Sequence, residues 1–304
     1  MPTKTTESSA TLAVGKTPLI ELTGLPGLSE RVRLFAKAEW HNPGGSVKDR
    51  AGLRIIQEAE KAGKLAPGMN LLDATSGNTG IAYAWIGARL GIKVTLAVPG
   101  SISRRRRAIL EAYGAELMFT DPLESTDGAI REARLVAAAE PGRYFYADQY
   151  GNDANWKAHF DTTAPELWEQ TGGKITHFVA GLGTSGTFTG TTRRLRQLDA
   201  AVKCISIQPD AALHGLDGLK HMASALVPGI YDAKLADESL EISTDAAQEI
   251  CRTLARERGL LVGPSGGANV AGALRVAQRL GEGTIVTILP DSGERYLDER
   301  FWSE

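Results

Sequence analysis

The chain has 304 residues, 42% hydrophobic and 23% charged, with 34 Lys and Arg against 36 Asp and Glu for a formal net charge of -2. That length suffices for two α/β lobes, and the even charge balance gives the chain as a whole no basic character, which argues against a nucleic-acid partner. No apolar run approaches the roughly 18 residues of a membrane span and the polar start carries no signal-peptide core, so no membrane association and a cytoplasmic location are expected.

In chain order, the first chemically informative stretch is NPGGSVKDR at 42–50. From Ser46 the chain reads SVKDRAGLRIIQEAEKAG, with Val47, Ala51, Ile55 and Ala59 at helical spacing, so Ser46 is a candidate N-cap and Lys48 falls in the first turn. A cation there opposes the helix dipole by about 0.3–1 kcal/mol. The same field, with partial burial, lowers a lysine pKa and frees the amine to attack a carbonyl. Lys48 is therefore a candidate Schiff-base residue, set against the ordinary reading of a solvated surface lysine. The strand-like Leu71 and Leu72 then lead into TSGNTG at 75–80 and the apolar run IAYAWIGARLG, which places free backbone amides at a helix start, where they suit an anion. A strand (GIKVTLAVPG), a helix from about Ser103 to Tyr113 and a strand (AELMFTD) follow. Arg104 to Arg107 cover every face of that helix's first turn and read as solvated or paired with local carboxylates.

A second glycine- and hydroxyl-rich turn, GLGTSGT at 181–187, follows the strand-like HFVA and opens the helix FTGTTRRLRQL. Thr184, Ser185 and Thr187 with free amides suit a phosphate monoester. The turn also satisfies G-x-G-x-x-G, but the next strand ends at Gln208 where a dinucleotide site needs an acid. An NAD-dependent oxidoreductase is the competing reading from that motif. Cys204 lies in this strand and Cys251 in a helix-like run, and both read as buried thiols. The five histidines show no metal-ligand spacing. Ser265, in GLLVGPSGGAN, occupies a further strand-to-helix turn, where it is either an N-cap or a neutral partner for a ring nitrogen. Strand-like and helix-like segments alternate without repeat or linker, which predicts parallel sheets. A lysine for a Schiff base, a phosphate cup and a ring-nitrogen hydroxyl together describe a pyridoxal 5'-phosphate site.

Over nearly its whole length the sequence resembles the cysteine synthase (O-acetylserine sulfhydrylase) family of pyridoxal phosphate enzymes. VGKTPLIEL (14–22), the lysine motif, TSGNTG, YADQYGN (146–152), GLGTSGT, GPSGGA and LPDSGERYL appear in family order. The resemblance implies fold type II, the tryptophan synthase β-like fold: an α/β protein of two three-layer lobes, each with a mostly parallel sheet, and the cofactor in the cleft between them. It predicts a first lobe at 1–152, with part of 1–41 free to pack with the other lobe, and a second at 153–304. It implies that Lys48 holds the cofactor and that Asn78 bonds its ring hydroxyl oxygen. Thr75, Ser76, Gly77, Thr79 and Gln149 would grip the substrate α-carboxylate; Gly183, Thr184, Ser185, Gly186 and Thr187 would hold the phosphate; Ser265 would meet the pyridine nitrogen. A homodimer, a complex with a serine acetyltransferase and small-molecule substrates follow from the same likeness.

The activity so implied is β-replacement of an activated serine, O-acetylserine or O-phosphoserine, by sulfide to give L-cysteine. A neutral Ser265 does not hold the ring nitrogen as a cation, which favours β-elimination over transamination. The same-fold alternatives are cystathionine β-synthase and serine or threonine dehydratase; Val47 and the hydroxyls of GLGTSGT disfavour the dehydratases. A catalytically retired homologue is disfavoured by Lys48, Asn78, Gln149 and Ser265. Three departures from the family pattern stand out. Gly44 replaces a threonine, read either as a lost hydroxyl or as a glycine required for positive φ. Ser185 stands where glycine is common. Lys220 and His221, within 214–229, bring cationic groups towards the leaving group, or else belong to a surface loop.

Overall fold

The computed structural model describes residues 12–75 and 77–303. The polar start up to residue 11, read above as lacking a signal-peptide core, lies outside the described residues, as do Ser76 and Glu304. In chain order the elements are β1 (Leu19–Glu21), β2 (Val32–Ala38), α1 (Lys48–Lys61), β3 (Asn70–Ala74), α2 (Asn78–Leu90), β4 (Lys93–Pro99), α3 (Arg104–Ala112), β5 (Glu116–Thr120), α4 (Ser125–Ala139) and β6 (Tyr144–Tyr146). There follow α5 (Asp153–Ala158), α6 (Ala164–Gln170), β7 (His177–Gly181), α7 (Gly186–Leu198), β8 (Lys203–Pro209), β9 (Glu238–Ile242), α8 (Thr244–Arg258), α9 (Pro264–Ala277) and β10 (Gly283–Leu289). The chain divides into two compact units: Lys48–Asn155 with the segment up to Val14, and Gly15–Val47 with the chain from Trp156 onward. No helix among the described residues is long and apolar enough to cross a membrane.

The first unit is built on a four-stranded parallel sheet, order β5-β4-β3-β6. Every residue of β3, NLLDA, is buried, as expected of a central parallel strand with helices on both faces. Its side chains alternate: Leu71 joins the cluster of Ile55, Ile81, Tyr83 and Leu96, while Leu72 and Ala74 join that of Ala97, Ile130 and Ala133. Asp73 shares the face of Leu71 by the same alternation, a carboxyl group on an apolar side.

The second unit has a six-stranded sheet, order β1-β2-β10-β7-β8-β9, parallel except where β1 joins β2. Phe178 and Ala180 of β7 pack with Phe188 and Leu195 of α7, whereas Val179 packs with Ala268 and Val270 of α9, giving helix, sheet and helix layers. Strand β2 lies beside β10 over their full lengths, from Val32 against Gly283 to Ala38 against Leu289. Cys204 and Cys251 are free and buried, as their sequence positions predict; burial pushes their thiols up to about 11 and about 12.

Two local expectations are corrected. Helix α1 begins at Lys48, and Ser46 is drawn into an isolated bridge with Asp291. The positive φ in NPGGSVK belongs to Gly45 (φ 77) and not to Gly44. Gly44 instead gives its carbonyl to Arg295 Nη2, so what this position supplies is a backbone acceptor.

Candidate active site

Strand β3 delivers the TSGNTG loop at its C-terminal end, the edge at which parallel α/β sheets present ligand sites. Thr75 Oγ1 accepts from the amides of Gly77 (3.1 Å) and Gly80 (3.2 Å), so its lone pairs close the turn and its own proton remains to be donated. Gly77 is the N-cap of α2, with no side-chain cap. Asn78 and Thr79 form the first turn, Asn78 half-buried and Thr79 buried.

Gln149 is brought against this loop from the turn after β6. Thr79 Oγ1 donates to Gln149 Oε1 at 2.6 Å, and Gln149 Nε2 donates to the Ala74 carbonyl at 2.7 Å. Its backbone amide donates to Asp73 Oδ2 at 3.2 Å and its carbonyl accepts from Asn155 Nδ2 at 2.7 Å. With one Nε2 proton on Ala74, the other is left for a ligand. Thr75, Gly77, Thr79 and Gln149 are thus assembled in one place in the first unit. Two further groups support them. The guanidinium of Arg106 lies flat over Gly77, with three of its atoms 3.6, 3.6 and 3.7 Å from where a Cβ would stand. Arg104, Arg105 and Arg107 are exposed, and Arg107 pairs with Glu111 at 2.8 Å. Asp73, fully buried, has its carboxyl pushed up to about 7, chiefly by burial and against the amides of Ala74 and Gln149.

Lys48, half-buried, follows a turn held tightly within the second unit. Asn42 Oδ1 accepts from Gly15 N at 2.8 Å, and Asn42 Nδ2 donates to Glu39 Oε2 at 2.9 Å. Val47 N donates to the Pro290 carbonyl at 2.8 Å, and Asp291 in turn accepts from the Tyr296 hydroxyl at 2.7 Å.

In the second unit, residues 182–185 link β7 to α7 in one tight turn. Ser185 sits at φ 69 in the left-handed region, which explains why glycine is the easier residue there; its Oγ is buried with no hydrogen bond. Gly183 has no room for a side chain, since a Cβ would run into the Gly218 carbonyl oxygen. Thr184 Oγ1 accepts from Gly186 N at 3.4 Å, and Thr187 Oγ1 meets His159 Nε2 at 3.3 Å, His159 being held by Thr163 at 2.9 Å. The 214–229 segment packs on this turn: Lys220 N donates to the Leu182 carbonyl at 2.8 Å, while His221 Nδ1 meets Ser224 Oγ at 2.8 Å. Burial, and then the charge of His221, push His214 below the usual imidazole value. Gly263, not Ser265, is the N-cap of α9; Ser265 is buried in the first turn behind Pro264. One turn on, Asn269 donates from Nδ2 to the Ile288 carbonyl at 2.8 Å and turns its buried Oδ1 towards Gly181.

His159, Asn269, Asp73 and Arg106 escaped the sequence reading: His159, Asn269 and Arg106 each reach their loop from a distant element, while Asp73 stands two residues before its loop and is tied to it through the Gln149 amide. Only Asp73 carried a signal, an acid inside the apolar stretch NLLDA.

Two parallel α/β sheets, with glycine-rich turns where strands pass into helices, are the architecture of fold type II enzymes. The chain belongs to the pyridoxal-phosphate dependent enzyme family, whose sequence model matches residues 10–291. It is 46% identical over 297 residues to a cysteine synthase of Aquifex aeolicus, covering 96% of this chain and 91% of that one. To cysteine synthase B of Salmonella typhimurium it is 43% identical, covering 96% and 95%. The crystal structure of a cysteine synthase from Entamoeba histolytica superposes with a TM-score of 0.91 at 37% identity, covering 96% of this chain and 89% of that one. The cofactor of the family is pyridoxal 5'-phosphate.

Proposed function

We propose that this protein is a cysteine synthase that replaces the β-substituent of an activated L-serine by sulfide. The observation that carries the reading is the near-full-length similarity to cysteine synthases, with Lys48, the TSGNTG loop, Gln149, the 181–187 turn and Ser265 all present. The fit to the cofactor is supported by the unpartnered, buried Ser185 Oγ and by the space that only glycine leaves at 183, beside the amides that open α7. In this reading Gly183, Thr184, Ser185, Gly186 and Thr187 hold the phosphate, Asn78 the ring hydroxyl oxygen and Ser265 the ring nitrogen, and Lys48 Nζ bonds the aldehyde carbon.

Pyridoxal phosphate, when bound, supplies the electron-withdrawing ring that takes up the pair left at the substrate Cα. Lys48 would hold the cofactor, and its Nζ, once free, would be the base for the α-proton. The hydroxyl of Thr75, the loop amides including that of Thr79, and the remaining Nε2 proton of Gln149 hold the α-carboxylate, each charge-assisted bond contributing about 1.5–3 kcal/mol, while the Thr79 hydroxyl keeps Gln149 turned towards it. Ser76 joins them from the same loop by family likeness. Ser265 would meet the ring nitrogen as a neutral partner, which would favour loss of the β-substituent over transamination.

The same likeness supports a homodimer, to be tested by sedimentation, and capture of a serine acetyltransferase, to be tested by co-purification. Two buried free thiols support a reducing, cytoplasmic setting. The deciding assay offers the purified holoenzyme O-acetylserine, O-phosphoserine or L-serine, each with sulfide or homocysteine. L-Cysteine from an activated serine and sulfide is expected. Keto acid and ammonia would make it a dehydratase, and preference for homocysteine a cystathionine synthase.

A further inference from the structure

Beneath the carboxylate loop lies an acid that the chemistry above does not use. Asp73 is 0% exposed, its Oδ1 accepting from Ala74 N at 2.8 Å and its Oδ2 from Gln149 N at 3.2 Å. Among the described residues it has no ion-pair partner. The phenols of Tyr83 on α2 and Tyr146 on β6 face it, as does Asp148 in the turn, at φ 46; Arg134 of α4 approaches Asp148 at 3.9 Å. One short path joins the acid to the loop: Asp73 holds the Gln149 backbone, and the Gln149 side chain holds the Thr79 hydroxyl.

We propose that Asp73 is a positioning residue that fixes Gln149 against the loop and sets the loop's charge, carrying a proton while an amino-acid carboxylate is held there. This rests on the assignment of 75–79 and Gln149 to the α-carboxylate. An incoming carboxylate and an ionised Asp73 would be two like charges linked through the neutral Gln149 and Thr79, with the guanidinium of Arg106 over Gly77 as the cation beside that loop. At an effective dielectric near 20, a like charge about 10 Å away is worth a factor of about ten or more. The bound carboxylate therefore favours the neutral acid, and by linkage the ionised acid weakens the amino acid's hold by the same factor. The position of the acid's titration, near neutrality because burial raises it, puts this coupling within reach of ordinary buffers.

The test is calorimetric titration of holoenzyme with L-alanine, which has no β-leaving group, at pH 6 and pH 8.5 and in buffers of different ionisation enthalpy. Wild type should bind L-alanine about tenfold more weakly at pH 8.5, after subtracting the change seen in Asp73→Asn, and should take up a fraction of a proton near pH 7.5 that the variant does not. Equal pH profiles and equal proton counts in the two proteins overturn the proposal. Thr79→Ala separates it from its premise. Undiminished L-alanine binding in Thr79→Ala refutes the carboxylate assignment itself; weakened binding there, with Asp73→Asn behaving as wild type, refutes only the role of Asp73. Should Asp73→Asn fail to fold, Tyr83→Phe serves: it removes a hydroxyl that favours the ionised acid, so the midpoint of the pH profile should move up, and an unmoved midpoint overturns the proposal.

Discussion

The proton on Asp73 is also written into folding stability. Its carboxyl titrates at about 7 in the folded chain against a reference of 3.8. The folded value is raised, so between those two values the native state holds a proton that the unfolded chain has released. Stability from this group is therefore fully present below pH 4 and declines as pH rises towards 7, at about 1.4 kcal/mol per unit and about 4 kcal/mol in all. Asparagine cannot ionise, so Asp73→Asn removes that slope. It also turns an amide donor towards the amides of Ala74 or Gln149, at a cost of about 1–3 kcal/mol independent of pH. Urea unfolding of both proteins between pH 5 and pH 8 isolates the group from every other titration. The stability of wild type relative to Asp73→Asn should fall by about 3 kcal/mol across that range, with wild type ahead at pH 5 and its lead shrinking or reversed at pH 8. A constant difference between the two curves would refute the reasoning, because a carboxyl that titrates alike in both states contributes no slope.

Lys48→Ala should abolish cysteine formation and the visible cofactor band while leaving the unfolding transition in place, since Lys48 is half-buried at the head of α1; retained turnover would remove it from the chemistry. Ser265→Asp should protonate the ring nitrogen and slow elimination at least tenfold while cofactor still binds, and wild-type rates would show that Ser265 does not act on the ring. Ser185→Gly should gain up to about 1 kcal/mol of stability by relieving a left-handed serine, yet weaken cofactor affinity by losing its Oγ; unchanged affinity in a cofactor titration would take that hydroxyl out of the phosphate site. Lys220→Ala should lower kcat/KM for O-phosphoserine relative to O-acetylserine by roughly tenfold, and an unchanged ratio would leave Lys220 to its backbone contact with Leu182.

What the sequence made legible was whatever local chemistry writes in short strings. Glycines and hydroxyls mark the turns at 75–80 and 181–187, and the structure sets both turns between a strand and a helix. Local rules failed where tertiary pairing decides. Ser46 looks like a cap, but its backbone is engaged by Asp291, some 245 residues on by the numbering. Ser265 looks like a cap too, until Pro264 takes the first helical position and Gly263 the cap. Arg106 is one of four consecutive arginines, and nothing in that run shows which one lies across Gly77. His159 reaches Thr187 from a stretch of π-helix that no hydrophobic period announces.

The pairing of β2 with β10 fixes a timetable for the ribosome. Strand β2 leaves the exit tunnel early, but the strand it lies beside is about 250 residues downstream, roughly 10–50 s later at ordinary elongation rates. Through that interval the apolar VRLFAKA segment has an unpaired edge, the kind of template on which nascent chains associate wrongly. The residues of the first unit's sheet, 70–146, are meanwhile complete and free to pair among themselves. A ribosome stalled before residue 283 would thus display a formed first sheet while the 42–47 turn still lacked Pro290, Asp291 and Arg295. The turn that leads into Lys48 acquires its last hydrogen bonds only when translation is nearly over.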